Sequence, residues 1–440
     1  MKKAIINTRI YDYKNYYDDS YIIFDNKILE IGKMSSYKNK DYHEIDGKDS
    51  FVLPGLISGH THLYSTFARG MNSSFNPENF MDILKQLWWK LDYFLDEDDI
   101  YFSALMGGLD QLKCGTTTLI DHHASKLVKK SLEKIRKALI DDLNIRAILA
   151  FETSDRFNVM DAINENSNFI KNNHNDKVSG LFGMHASISL SDSSLKEIKE
   201  NLGNEGIHIH VAESIMDEED SLIKYGMRVV ERLDKFGLIN DKSLLVHCTH
   251  IDDFEMDIIK KRNATIAINV TSNLNNAVGI SNVKKFLDKG IRVIAGNDGL
   301  IQSQAFEYLN IYYLGHLKEK SPTGFSLDNV LTIINNTYDY INMLLGTKLG
   351  SISVNSEADL LLVDYKNLSP VDENNVFGHI FFGTFPCFKP RVVIARGNVL
   401  IENYKIEKNE LNQLYIEALF QAEKLWDRIK KEGENIEFKY

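Results

Sequence analysis

At 440 residues the chain exceeds the usual single-domain range, and its 43% hydrophobic content is enough for a sizeable core. A net charge of −11, spread along the chain rather than blocked, argues against a nucleic-acid or anionic-membrane partner. Cys114, Cys248 and Cys387 are too few and too scattered for a disulfide framework. The sparse cysteines make a reducing cytoplasm the expected compartment, and no run approaches the ~18 to 20 apolar residues of a membrane span.

In chain order, the first segment offers short β-like pieces, KKAIINTRI, DSYIIFDNKILEIG and YHEIDGKDSFVLP, which turn at DNK and DGK. Similar pieces return late as ADLLLVDY and RVVIARGNVLIENYKI. The spacing predicts one small β-sandwich built from residues 1–55 and 346–410. Between them, residues 56–345 alternate strand-like and helix-like segments, with strands ending near His62, Asp121, Phe151, His185, Val211, Cys248, Asn269 and Asn297. Eight strands separated by amphipathic runs such as SLEKIRKALIDDLN and DFEMDIIKKRN predict an α/β fold, a parallel (β/α)8 TIM barrel. The tail, 411–440, reads as a C-terminal helix whose apolar positions serve packing.

Four of the strand ends carry residues able to grip one metal ion: His60 and His62 in PGLISGHTHL, His210 in GIHIHVAES, His247 in SLLVHCTH and Asp298 in RVIAGNDG. Residues two apart on a strand share a face, so His60 and His62 can reach the same ion. An isolated His-x-His means little, but here later segments supply partners. Three imidazoles and a carboxylate suit Zn2+, or Fe2+, with a position left open for water.

Glu213 follows His210 by three residues, just past the strand end, where its carboxylate can move a proton between water and a leaving nitrogen. The alternative is a first-turn or N-cap glutamate that satisfies backbone donors. Asp298 can accept a proton as well as ligate. His247 in SLLVHCTH is the natural donor to charge developing on the substrate, unless it is a buried histidine bonded to backbone. His250, three residues on, would turn away, and His208 lies deeper in its strand, where packing or support of a ligand is expected. Asp121, His122 and His123 in LIDHHAS are read as structural or supporting groups.

Loops at this face commonly choose the substrate. Arg69 in FARGM, Trp88 and Trp89 in QLWWKL, Glu152 and Arg156 in FETSDR, and Ser272 and Asn273 in SNLNN are placed in such loops. The Arg156 fork can read paired acceptors, or else make a surface ion pair. Adjacent tryptophans on a helix cannot both face one way, so at least one should pack.

These motifs, together with GMHASISLSD, SNLNNAVG and ADLLLVD, give the chain a resemblance over nearly its whole length. It resembles the amidohydrolase superfamily, in the branch of metal-dependent deaminases and chlorohydrolases, and is most similar to the SsnA family of aminohydrolases. The resemblance implies the same metal set, His60, His62, His210 and Asp298, with Glu213 as proton shuttle and His185 as a substrate contact. Binuclear relatives carry a bridging lysine at the end of strand four, where this chain has His185, so one ion is expected. GNDG stands where GTDG is common, and ISVNSEADLLLVD departs from the usual sheet motif, neither at a proposed ligand.

The expected activity is hydrolytic deamination of an aminopurine-like nitrogen heterocycle by a metal-activated water. Alternatives are hydrolysis of a cyclic amide or another ring bond at the same site, or a non-catalytic scaffold. The expected partner is a small heterocyclic substrate, and a homodimer is the expected assembly.

Overall fold

A computed structural model describes residues 2–71, 75–406, 411–433, 436 and 438. The chain opens with β1 (Lys3–Tyr11), β2 (Tyr16–Phe24), β3 (Ile28–Lys33), β4 (His43–Asp46) and β5 (Phe51–Pro54). The middle contributes β6 (Leu56–Thr61), β7 (Thr116–His123), β8 (Arg146–Phe151), β9 (Val178–Gly180), β10 (Phe182–Ala186), β11 (Ile207–Val211), β12 (Leu244–His247), β13 (Thr265–Ile268) and β14 (Arg292–Ala295). Near the end come β15 (Leu360–Val363), β16 (Val392–Ala395), β17 (Asn398–Glu402) and β18 (Lys405–Ile406).

The terminal strands join in one sheet, ordered β18-β17-β16-β15-β5-β1-β2-β3, with β4 added to β1. Its seam is the antiparallel pair β5–β15, in which Leu53 faces Leu361 and Val52 faces Leu362. Alternate residues, among them Ile5, Ile22, Val52, Leu360, Leu362 and Ile394, bury one face in a core of their own. The sheet curls over this core. Lys3 Nζ donates to Gly397 O at 2.9 Å, and a Cβ on Gly397 would lie 1.9 Å from Asp25 O, so the turn after β16 rests on the turn after β2. Only a glycine, here at φ +73°, allows that approach.

The middle strands are parallel throughout, in runs β6-β7-β8-β9 and β10-β11-β12-β13-β14. Bridges Thr153↔Met184 and Thr61↔Asp298 link the two runs at both seams and close the barrel. Every residue of β7, β8 and β11 is buried, as strands covered on both faces must be. Helices between strands carry local signals. Asp252 and Glu255 form a capping box at the start of Asp253–Arg262, and Asn263 ends it at φ 55°.

The tail helix runs Leu411–Glu432, and of the expected 411–440 span residues 434, 435, 437, 439 and 440 lie outside the described residues. Among the described residues no helix is long and apolar enough to cross a membrane.

Candidate metal centre and active site

β6 delivers His60 and His62 to the C-terminal mouth of the barrel, and β14 arrives beside them. Asn297 and Asp298 both donate backbone N–H to His60 O, at 2.9 and 3.1 Å. The approach is close: a Cβ on Gly296 would lie 2.4 Å from Asn269 Oδ1 and 2.7 Å from His60 Cβ. Asp298 then takes a left-handed φ of 53° and turns its carboxylate inward, with Oδ1 3.1 Å from His62 Nε2 and 3.6 Å from His60 Nε2. His247, at φ 67°, ends β12 with Nε2 3.8 Å from Asp298 Oδ2.

Each of the four histidines has its Nδ1 engaged from behind. His62 Nδ1 donates to His122 O (2.6 Å) and His210 Nδ1 to His185 O (3.0 Å). His247 Nδ1 donates to Asn273 Oδ1 (2.8 Å), and His60 Nδ1 lies 2.8 Å from His208 Nε2. The three bonds to oxygen select the Nδ1–H tautomers, which leave Nε2 of His62, His210 and His247 facing the barrel mouth. Among the described residues His60 Nε2 and His247 Nε2 are buried with no hydrogen-bond partner, and His62 Nε2 lies 3.1 Å from His210 Nε2.

His60, His210, His247 and Asp298 place ligand atoms within 4.8 Å of one another, and His60, His62, His122 and His210 form an overlapping group. The donor set fits a divalent cation: imidazoles and one carboxylate, all buried. Burial pushes His60 down to about 3 and His210 well below the ordinary imidazole range. At His62 desolvation acts the same way, but the hydrogen bond and charge of Asp298 outweigh it and raise the ring to about 9. Positive charge is therefore favoured beside Asp298.

Glu213 leaves β11 and hangs over this point. Ser214, not Glu213, caps the helix Ile215–Tyr225, with its side chain accepting from Met216 N–H, so the capping alternative does not hold. One Glu213 oxygen lies 3.5 Å from His247 Nε2 and the other accepts from Asn276 Nδ2 at 3.1 Å. Burial raises its carboxyl above the usual range, while His247 and Asn276 pull it back.

A cavity enclosing about 910 Å³, partly open to solvent, rises from the metal-facing floor. One wall is apolar: Phe80, Met81, Leu84, Trp88, Trp89 and Met216. The polar lining is acidic, with Asp92, Glu152, Glu213, Asp217 and Asp298, and no lysine or arginine among the described residues lines it.

Several sequence-predicted residues are placed elsewhere than expected. Trp88 and Trp89 stand in helical structure, a π-turn Leu84–Trp88 running into the helix Trp89–Phe94, rather than in a loop. Both nevertheless line the cavity, Trp89 from a fully packed position at 1% exposure. The Arg156 side chain is buried behind the cavity-lining Asp92 and Trp89, bonded by both Nη atoms to Asp92 at 3.2 and 2.6 Å and lying 4.8 Å from the Trp89 ring. It is neither a surface ion pair nor a lining residue. Arg69 is largely exposed and pairs with Asp110 at 3.0 Å, outside the metal cavity. Asn273 is buried beneath His247 and does not line the cavity either. His185 does line it, its Nδ1 held 2.5 Å from Ser189 Oγ.

The neighbouring histidines separate by their bonds. His250 Nε2 donates to Val278 O (2.6 Å), away from the site, and His123 Nε2 pairs with Ser125 Oγ (3.0 Å). His122 stacks on His208 at 4.2 Å, and Asp121 accepts from Leu63 N–H at 2.8 Å, holding the turn after His62. Sequence reasoning missed Asp92 and Asn276. A carboxylate inside an amphipathic helix reads as a solvated face, and an asparagine in an Asn-rich turn reads as loop.

The chain is 28% identical over 414 residues to a 5'-deoxyadenosine deaminase from Methanocaldococcus jannaschii, covering 90% of this chain and 94% of that one. It is 28% identical to a 5-methylthioadenosine/S-adenosylhomocysteine deaminase from Caldanaerobacter subterraneus subsp. tengcongensis, over 87% of this chain and 88% of the relative. A zinc-bound adenosine deaminase from Xanthomonas campestris shares the fold, with a TM-score of 0.84 at 19% identity over 97% of this chain and 98% of that one. The model of the amidohydrolase family matches residues 51–400, and with the parallel barrel and its histidine- and aspartate-lined mouth this establishes that the chain belongs to the amidohydrolase family.

Proposed function

We propose that the protein is a metal-dependent aminohydrolase that replaces the exocyclic amine of an uncharged, purine-like heterocycle with oxygen, releasing ammonia. The observation that carries this reading is the clustering of His60, His62, His210 and His247 around the Asp298 carboxylate, beside the Glu213 carboxylate, at the floor of a cavity with one apolar wall. The deaminase names of full-length relatives support it.

His60, His62, His210 and Asp298 would hold a single divalent ion, with zinc the expected metal. When bound, that ion lowers the pKa of water from ~15.7 toward ~7 and so supplies the nucleophile at neutral pH. Glu213 takes a proton from the attacking water and returns it to the amine nitrogen, so that water and the amine substrate become the oxo heterocycle and ammonia. His247 would stabilise the tetrahedral centre as an imidazolium, whose Nε2–H faces Glu213 and Asp298 while Nδ1–H stays on Asn273. Trp88 and Trp89 offer aromatic faces to a planar ring. The acidic lining, with Arg156 already neutralised by Asp92, disfavours substrates that carry phosphate or carboxylate.

The test is ammonia release by zinc-loaded protein from a panel of aminopurines, aminopyrimidines and their uncharged nucleosides. Glu213→Gln should lower turnover by about 10²- to 10⁴-fold while retaining one bound ion. Silence across the panel with one ion per chain would sink the deaminase reading.

A further inference from the structure

The short helix Val270–Asn275 and its C-cap residue send two amides toward the active site from one turn. Asn273 and Asn276 are three apart and share a helix side. Asn273 Oδ1 accepts from His247 Nδ1 at 2.8 Å, and Asn276 Nδ2 donates to Glu213 Oε1 at 3.1 Å. The amide of Asn276 is itself oriented: Asn275 Nδ2 donates to its Oδ1 at 3.1 Å, which leaves the NH2 edge toward Glu213 and Ser272 Oγ. Its backbone N–H bonds Ser272 O at 2.9 Å, so the residue is held at both ends.

A glutamate carboxyl rotates in a broad, roughly two-fold well, so nothing intrinsic decides which oxygen faces the metal side. Here Oε1 is occupied by Asn276, which leaves Oε2, 3.5 Å from His247 Nε2, as the oxygen over the ligand cluster. We propose that Asn276 is a positioning residue for the proton shuttle: its amide pins one oxygen of Glu213 so that the other alone exchanges protons with the attacking water and the leaving amine. Asn276 also lines the cavity, so substrate entering the site meets a carboxylate already fixed. The proposal rests on the aminohydrolase reading for its chemistry, but its geometric content stands apart from it.

The test uses zinc-loaded full-length protein and two variants, Asn276→Leu, which removes the donor at similar volume, and Asn276→Gln, which restores an amide on a longer arm. In kinetics, Asn276→Leu should lower kcat roughly tenfold to a hundredfold, with KM within about twofold and metal content and Tm unchanged, and Asn276→Gln should recover part of the loss. In crystal structures of the metal-loaded proteins, the Glu213 carboxylate should hold one orientation in the parent and rotate or split in Asn276→Leu. An unrotated Glu213 in that variant, or an unchanged kcat, would overturn the proposal. Absence of ammonia release by the parent would instead count against the aminohydrolase reading, and the crystallographic comparison would still decide the role of Asn276.

Discussion

His208 sits two residues before His210 on the same face of β11, yet it ends beneath the metal-facing cluster, with Nε2 2.8 Å from His60 Nδ1 and its ring stacked on His122 at 4.2 Å. Such an acceptor fixes the His60 tautomer and raises its basicity as a ligand. His208→Phe keeps the stacked volume and removes the acceptor, so the affinity for a divalent ion should fall about 10- to 100-fold, measured by competition with a coloured chelator. Unchanged affinity would mean that the ring only packs. At this scale the sequence is readable where the geometry is local: His60 and His62 share a face because strand side chains alternate. Arg156 could not be placed that way, because its partner Asp92 is 64 positions away and only the tertiary fold brings the two together.

The helix Leu411–Glu432 is legible from its period, with Ala418, Gln421, Leu425 and Ile429 buried at helical spacing. What that face holds is not. Gln421 donates to Asp99 Oδ1 at 3.0 Å and Arg428 pairs with the same carboxylate, which burial raises to about 7. Trp426 Nε1 donates to Phe67 O at 2.7 Å, in the 3-10 segment Leu63–Ala68 that follows His62. The helix thus clamps the turn that carries His62 into the site. Trp426→Phe should cost about 1 kcal/mol through loss of that bond, seen as a lower urea midpoint with metal content unchanged. An unchanged midpoint would show that the turn is held by Asp121 and by Ser65, whose Oγ donates to His62 O at 2.6 Å, without help from the helix. The helical wall holding Trp88 and Trp89 reads as a loop from the sequence, although Asn79 is a serviceable N-cap whose side chain accepts from Asp82 N–H. Its four-residue first helix is too short to set up a recognisable apolar period before the π-turn shifts it.

Across the whole molecule, alternation in the two terminal segments reveals strands but not how their sheet is fastened to the barrel. Arg146 opens β8 with its side chain 1% exposed, donating to Asp359 Oδ2 at 2.5 Å and to Glu357 Oε2 at 2.9 Å just before β15. Glu357 is also paired with Lys27 from the turn after β2, at 3.0 Å. One guanidinium therefore joins the barrel wall to the segment entering β15 and, through Glu357, to the turn after β2. No periodicity marks an arginine as buried at the first position of a strand. Arg146→Met keeps the bulk but leaves two buried carboxylates without their main cation, one of them already raised by burial at Asp359. Breaking a buried pair in this way costs about 3 to 5 kcal/mol. The variant should unfold several degrees earlier by calorimetry. Replacing Glu357 and Asp359 by Gln and Asn in the same chain should recover part of the loss, since it removes the charges that Arg146 compensates. If the single variant is as stable as the parent, the two layers are held by apolar packing alone, and the triad fixes their register without contributing stability.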